Sequence, residues 1–326
     1  MEANIKSYNE VHPGLGDVMA ATLAQAVSAE MSTKLDDYMT DPGKLARTAT
    51  KKKAPVISAE ALLGSTKHER PNGDFYFTRK WGEHDDVEVL KTARDHSQYV
   101  LLYGAPGCGK TALVEAAFGN NLHTVLGSGD TEVSDLVGGY VQTPSGGFEW
   151  VDGPLLKAAI AGEPLLIDEI GLIDPKVLSI VYGLMDGRRE YTVTANPERG
   201  TVKAKDGFYV VAATNPNAPG VRLSEALLSR FAVHAEMTTD WSLAKKLGAP
   251  VAIVTAAQNL AKKQQTGEVS WAPQMRELLA FRDLSKMFGS TFAIANLLAA
   301  APELDRPVVQ DVLTRVTGEE VKPAKI

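Results

Sequence analysis

The sequence predicts an α/β chain: a parallel sheet sandwiched by helices, followed by an all-helical C-terminal domain. Three observations lead there. Short apolar runs alternate with helix-patterned segments from about Val56 to Met237. That alternation calls for a parallel sheet covered on both faces. A glycine-rich octet directly follows one apolar run and directly opens a helical segment. After Thr238 the strand-like runs stop and only helical patterns remain. The predicted boundaries are 1–55 for an N-terminal helical extension and basic linker, 56–238 for the α/β domain, and 239–326 for the helical domain.

Each element follows from local pattern. Leu15, Met19, Leu23, Val27, Met31, Leu35 and Met39 recur at every fourth position and end at Asp41-Pro42-Gly43. This spacing predicts an amphipathic helix. The polar stretch Lys44–Lys53 reads as a solvated basic linker. Strands are expected at Tyr99–Tyr103, His123–Leu126, Leu165–Ile167, Phe208–Ala213 and Phe231–Ala235. Helices are expected between them at Lys110–Phe118, Pro154–Ala161 and Pro175–Met185. Pro154 in a first turn and Gly162 just past the end are ordinary helix punctuation. Tyr140–Thr143 and Phe148–Val151, flanking Pro144-Ser145-Gly146-Gly147, predict a β-hairpin. The last domain reads as helices at Asp240–Leu247, Val251–Lys263, Met275–Phe288, Thr291–Ala300 and Pro307–Val316.

Composition narrows the class. The 326 residues are 44% hydrophobic, 23% charged and 7% aromatic, with a formal charge of −6. Those values exclude a disordered, collagenous or coiled-coil chain, and the acidic balance disfavours a uniformly basic nucleic-acid coat. The single cysteine, Cys108, cannot form an intrachain disulfide. The start lacks a signal pattern, and no apolar run nears the roughly 18 residues that span a bilayer. A cytoplasmic chain without membrane association is expected.

The octet Gly104-Ala105-Pro106-Gly107-Cys108-Gly109-Lys110-Thr111 matches G-x-x-x-x-G-K-[ST] in its proper strand–helix setting. Glycines let backbone N–H groups turn inward around phosphates, and the helix N-terminus adds its positive end. Gly104, Ala105, Pro106, Gly107, Cys108, Gly109, Lys110, Thr111 and Ala112 are the expected nucleotide-contacting residues. Lys110 is expected at the β- and γ-phosphates, and the Thr111 hydroxyl on Mg²⁺. Cys108 reads as a small residue that fits the loop, with blockage of nucleotide entry by its modification as the sharper alternative. Leu165-Leu166-Ile167-Asp168-Glu169 is a strand ending in two acids at the ligand-binding edge of such a sheet. Asp168 is the expected Mg²⁺ partner and Glu169 the residue that polarises an attacking water. Asn215, ending Val210–Thr214, is a candidate contact to that water or to the γ-phosphate. Arg230 lies where a helix, Leu223–Ser229, runs into a strand. No Asn-Lys-x-Asp guanine-reading motif is present, which favours ATP.

The order GAPGCGKT, LLIDE, ATNP and LSEALLSRF resembles the AAA+ ATPases of the MoxR-like, dynein-related group, nearest the NorQ/CbbQ and cobalt-chelatase small-subunit branch. The resemblance runs from about Tyr76 to the C-terminus. Asp135-Leu136-Val137-Gly138 and Phe148–Leu155 extend it, and it implies that the first hairpin interrupts a helix and points toward a ring pore. A second hairpin is implied at Tyr191–Thr194 and Thr201–Ala204. The resemblance further implies a homo-oligomeric, hexameric ring with ATP and Mg²⁺ between subunits. Glu169 and Asn215 would then serve catalysis from one subunit and Arg230 from its neighbour, while the C-terminal helices form a lid. Relatives often carry Ser-Pro-Arg early in a lid helix. Here Ala272-Pro273-Gln274-Met275-Arg276 puts Gln274 at that arginine's place, which leaves two readings: Arg276 substitutes for it, or the lid has no such arginine.

The function expected by analogy is remodelling or activation of a protein client, in systems that commonly employ a von Willebrand factor A-domain protein. Tyr140, Phe148 and Trp150 on the first hairpin either grip a substrate chain or pack the hairpin on its own domain. A nucleic-acid motor is the alternative, left open by Arg199, Lys203 and Lys205 on the second hairpin. A third reading is a nucleotide-switched assembly or structural ring.

Overall fold

The computed structural model describes residues 66–318 and 322–323. The helix expected at Leu15–Met39 and the basic stretch after it lie outside the described residues. Two small antiparallel hairpins come first, β1 (Lys67–Glu69) with β2 (Phe75–Phe77) and β3 (Lys80–Trp81) with β4 (His84–Asp85). Helix α1 (Asp86–Asp95) leads to β5 (Val100–Tyr103), and α2 (Lys110–Phe118) to β6 (His123–Leu126). A short α3 (Val133–Val137) precedes the hairpin of β7 (Gly138–Gln142) and β8 (Phe148–Asp152). Then follow α4 (Pro154–Ala161), β9 (Pro164–Asp168) and α5 (Pro175–Met185). The second hairpin, β10 (Glu190–Thr192) with β11 (Thr201–Lys203), stands before β12 (Tyr209–Thr214), α6 (Glu225–Leu228) and β13 (Val233–Glu236). Five helices end the described chain: α7 (Trp241–Lys246), α8 (Val251–Gln265), α9 (Met275–Phe288), α10 (Ser290–Ala300) and α11 (Arg306–Thr317).

The five expected sheet strands form one parallel sheet in the order β13-β5-β12-β9-β6. Helices on both faces bury its middle. Every residue of β12 is buried, which is why its sequence reads as an unbroken small-apolar run rather than an alternating one. The registers put Thr214 beside Tyr103 and Ala212 beside Ile167. The residues that follow β5, β9 and β12 therefore leave the sheet along one edge. This edge gathers the site.

Helix ends obey local chemistry. Pro154 and Pro175 each stand in a first turn, where a missing N–H costs nothing. The Asp174 and Asp240 carboxylates accept from Lys176 N at 2.7 Å and Leu243 N at 2.9 Å, satisfying orphan donors of α5 and α7. Two apolar cores result. One lies around the sheet, with Leu101, Leu165 and Val210, and one lies within the C-terminal helices, with Val254, Leu278 and Val309. Each such side chain contributes about 1.5–3 kcal/mol on burial.

Two local expectations shift. The second hairpin's ladder stops at Thr192 rather than Thr194, because Val193 turns into the core and its N–H donates to Gly200 O at 2.9 Å. The helix before Arg230 is a single turn, so the arginine sits beyond it. No helix among the described residues is long and apolar enough to cross a membrane.

Candidate functional site

The loop between β5 and α2 is built on glycines at positive φ: +154° at Gly104, +82° at Gly107 and +104° at Gly109. At Gly104 a Cβ would come within 2.2 Å of the Met237 carbonyl oxygen, so only glycine lets the loop start against the end of β13. The Lys110 side chain is 6% exposed as a residue and folds back over the loop. Its ammonium donates to Gly104 O at 2.8 Å and Ala105 O at 3.2 Å. Cys108 is wholly buried in the sheet core, as a small residue that packs there.

Thr111 and Asp168, from the start of α2 and the end of β9, are brought together: the threonine hydroxyl donates to Asp168 Oδ2 at 2.7 Å. Asp168 Oδ1 accepts the Glu169 N–H at 3.0 Å. Glu169 itself is in the left-handed region, φ 50° and ψ 40°, a conformation non-glycine residues seldom take. Such strain persists only where the surroundings enforce it, and it clusters at functional positions. It turns the carboxylate toward β12, where Glu169 Oε2 accepts the Asn215 N–H at 3.3 Å. The Asn215 carboxamide oxygen also accepts from Asn217 N at 3.2 Å, so the residue shapes its own turn while standing next to Glu169. Lys110, Thr111, Asp168, Glu169 and Asn215 thus form one constellation at the sheet edge.

Arg230 is placed differently. Its guanidinium lies 4.0 Å above the Tyr182 ring of α5, and its Nη1 donates to Ala226 O. Its Nε is buried with no partner among the described residues. None of these partners belongs to the phosphate loop.

The first turn of α9 rests on the loop: Arg276 N donates to Gly107 O at 3.2 Å. Gln274 is a capping residue. It forms a capping box with Glu277, and its Oε1 accepts from Thr239 Oγ1 at 2.7 Å. The Arg276 side chain is exposed at this junction. Sequence reasoning passed over Arg79, whose guanidinium donates to Cys108 O at 2.9 Å and Thr238 O at 3.1 Å. No motif spacing connects it to the loop. Arg79, Trp81, Met237, Thr238, Asp240 and Lys246 line a cavity of about 720 Å³ that opens beside the loop.

The oxygen pair Thr111 Oγ1 and Asp168 Oδ2 suits a hard divalent cation. Mg²⁺ takes one or two protein oxygens and completes its shell with water and phosphate. Among the described residues there is no cluster of three or more His, Cys, Asp or Glu side chains able to hold a metal by itself.

A family comparison agrees with this geometry. The family model for the AAA domain (dynein-related subfamily) matches residues 99–231, from β5 to the residue after Arg230. YojN, an uncharacterized protein of Bacillus subtilis, is 35% identical over 213 residues, covering 62% of this chain and 65% of that protein. SERP0979, an uncharacterized protein of Staphylococcus epidermidis, is 30% identical over 249 residues, 73% of this chain and 91% of that protein. A crystal structure from Cytophaga hutchinsonii, provisionally named as an ATPase, aligns over 73% of this chain and 89% of its own, with TM-score 0.40 and 16% identity. With the phosphate loop, the acidic strand end and the parallel sheet in place, the chain belongs to the AAA domain family, dynein-related subfamily.

Proposed function

We propose that this protein hydrolyses ATP as one subunit of a homo-oligomeric ring of the MoxR-like kind that remodels or activates a protein client. The observation that carries the reading is the hairpin of β7 and β8. Phe148 is 70% exposed and Tyr140 53%, with Val141 and Val151 also exposed on the same hairpin. Large apolar side chains held out on a rigid two-stranded arm offer a grip on an extended polypeptide. Trp150 belongs to the scaffold instead. It packs edge-on against Tyr140 with ring centroids 5.3 Å apart and donates from Nε1 to Asp152 at 2.7 Å.

In this mechanism the backbone of Gly104–Thr111 wraps the ATP phosphates, and Lys110 exchanges its two loop carbonyls for β- and γ-phosphate oxygens. Ala112 continues the contact in the first turn of α2. Thr111 and Asp168 would hold Mg²⁺, which would supply neutralisation of phosphate charge there. Glu169, fixed by its strained backbone, polarises the attacking water, and Asn215 beside it reports on the γ-phosphate. Arg230, presented on Tyr182 away from its own loop, serves the neighbouring subunit's site.

Of the second hairpin's cations, Arg199 weighs against a nucleic-acid motor, while Lys203 and Lys205 are exposed and leave that alternative open. Arg199 is committed to Asp152 through two hydrogen bonds, 3.1 and 2.6 Å, and Lys203 lies 3.9 Å from Glu190. The test is a pull-down with Glu169→Gln in Mg·ATP, the state that should hold a client longest. A specific protein lost when ATP is omitted supports the proposal, with a von Willebrand factor A-domain protein the expected class. Nucleic acid released by salt overturns it in favour of the motor. Neither ligand, with ATP-dependent assembly intact, overturns it in favour of the nucleotide-switched ring.

A further inference from the structure

A buried polar cluster outside every motif holds the phosphate loop from behind. Arg79 and Asp86 expose only 13% and 6% of their side chains, with Nε of the arginine 3.9 Å from Asp86 Oδ2. The arginine Nε also donates to Tyr76 Oη at 3.2 Å, and the Tyr76 hydroxyl donates to Asp86 Oδ2. Asp86 Oδ1 accepts the backbone N–H groups of Arg79 at 3.1 Å and Val87 at 2.9 Å. Burial pushes the Tyr76 phenol well above its ordinary pKa, so it remains a donor to the carboxylate. Burying a charged pair demands such complete hydrogen bonding, and this cluster supplies it.

The free side of the guanidinium is spent on two backbone carbonyls. Nη2 takes Cys108 O at 2.9 Å and Nη1 takes Thr238 O at 3.1 Å. A trans peptide sets its C=O and the following N–H on opposite sides. Holding the Cys108 carbonyl on Arg79 therefore turns the Gly109 N–H away from Arg79, toward the phosphate side. A Cβ on Gly109 would lie 2.6 Å from Arg79 Nη2, so this glycine is needed for the arginine's approach as well as for its φ of +104°. The preceding carbonyl, Gly107 O, is held by Arg276 N at 3.2 Å. Both anchors meet at the start of the helical region: Thr239 Oγ1 donates to Gln274 Oε1 at 2.7 Å and accepts Met275 N at 3.2 Å.

We propose that Arg79 is a positioning residue of the phosphate site. It holds the Cys108–Gly109 peptide in its phosphate-binding orientation and ties the loop, through Thr238, to the helices that follow. The proposal rests on the phosphate-loop reading of Gly104–Thr111.

The experiment is equilibrium binding of Mg·ATP and Mg·ADP to the full chain in the Glu169→Gln background. Arg79→Gln should weaken both about 10- to 100-fold, the scale of losing charge-assisted hydrogen bonds. Arg79→Lys should recover part of the loss, since a point cation reaches fewer acceptors. Arg79→Gln/Asp86→Asn removes the stranded carboxylate, so it should melt close to the parent without nucleotide and still bind weakly. Selective glycine ¹⁵N labelling reads the peptide directly. The Gly109 amide shift on adding ADP should vanish in the double variant and return in Arg79→Lys. Parent-like affinity and a parent-like Gly109 shift in the double variant overturn the proposal. Lys110→Ala separates the two readings. Unchanged binding there overturns the loop reading and this proposal together. Lost binding there with intact binding in the double variant overturns this proposal alone.

Discussion

Thr111 and Asp168 lie 57 positions apart yet share a 2.7 Å hydrogen bond, and Glu169 bends into a left-handed backbone to face Asn215. On the proposed mechanism these positions divide binding from hydrolysis. Lys110→Ala should weaken Mg·ATP about 100-fold or more, because a buried ammonium aimed at anionic oxygens is lost. Glu169→Gln should leave that affinity near the parent's while hydrolysis falls about 10²- to 10⁴-fold, the usual worth of a positioned base. Titration of nucleotide binding alongside phosphate release distinguishes them. A Glu169→Gln protein that loses affinity as steeply as Lys110→Ala would contradict the assigned roles. Both positions were candidates in the chain, Glu169 directly after an apolar strand and Lys110 within the glycine-rich octet that follows another. The strain at Glu169 was not legible, because a backbone dihedral has no residue-type signature here.

The two hairpins act as joined elements. Asp152 at the base of β8 accepts from Arg199 in the turn between β10 and β11, and from Trp150 on its own strand. Partial burial pushes the Asp152 carboxyl up, but the Arg199 and Trp150 hydrogen bonds outweigh it and hold the group below the usual range. A depressed folded-state value means the stabilisation is complete well above about pH 4, the unfolded carboxyl's range, and is lost as pH falls through the folded value. An Asp152→Asn/Arg199→Gln double-mutant cycle should therefore show coupling of about 0.5–1 kcal/mol at pH 7, declining below pH 4. Coupling that stays level from pH 7 to pH 3 would exclude the ion pair as its source. Along the same hairpin, Tyr140→Ser/Phe148→Ser should abolish client capture with a melting change under about 2 °C, as exposed positions permit. Trp150→Ala, which loses a ring contact and a hydrogen bond, should cost about 2 kcal/mol. Strand alternation and the Pro-Ser-Gly-Gly turn announced this hairpin. Which aromatics pack and which project depended on the register, with Tyr140 opposite Trp150.

At the scale of the whole molecule, Arg230 stacks on Tyr182 rather than on its own phosphate loop. In a ring with shared sites, Arg230→Ala should bind ATP normally and lose about 10³- to 10⁵-fold in hydrolysis. Mixing it with Lys110→Ala subunits should restore part of the activity, because each supplies what the other's site lacks. Absence of rescue at ratios that form mixed rings, judged by native mass measurement, would exclude the shared-site arrangement.

The chain's order alone specified the parallel sheet, the phosphate loop, the Asp168–Glu169 strand end and the helical C-terminal region. Each of these is written within a few consecutive residues, as an apolar strand followed by glycine or acid, or as a helical period with its caps. Arg79 and Thr238 are 159 positions apart, and Gln274 reaches Thr239 across 35. No periodicity or spacing links such residues. Their partnership exists only once β5, β9 and β12 align their ends and the first turn of α9 settles on the loop. There, burial demands a partner for every carbonyl and every charge, and that demand, met across the fold rather than along the chain, sets the geometry behind the site.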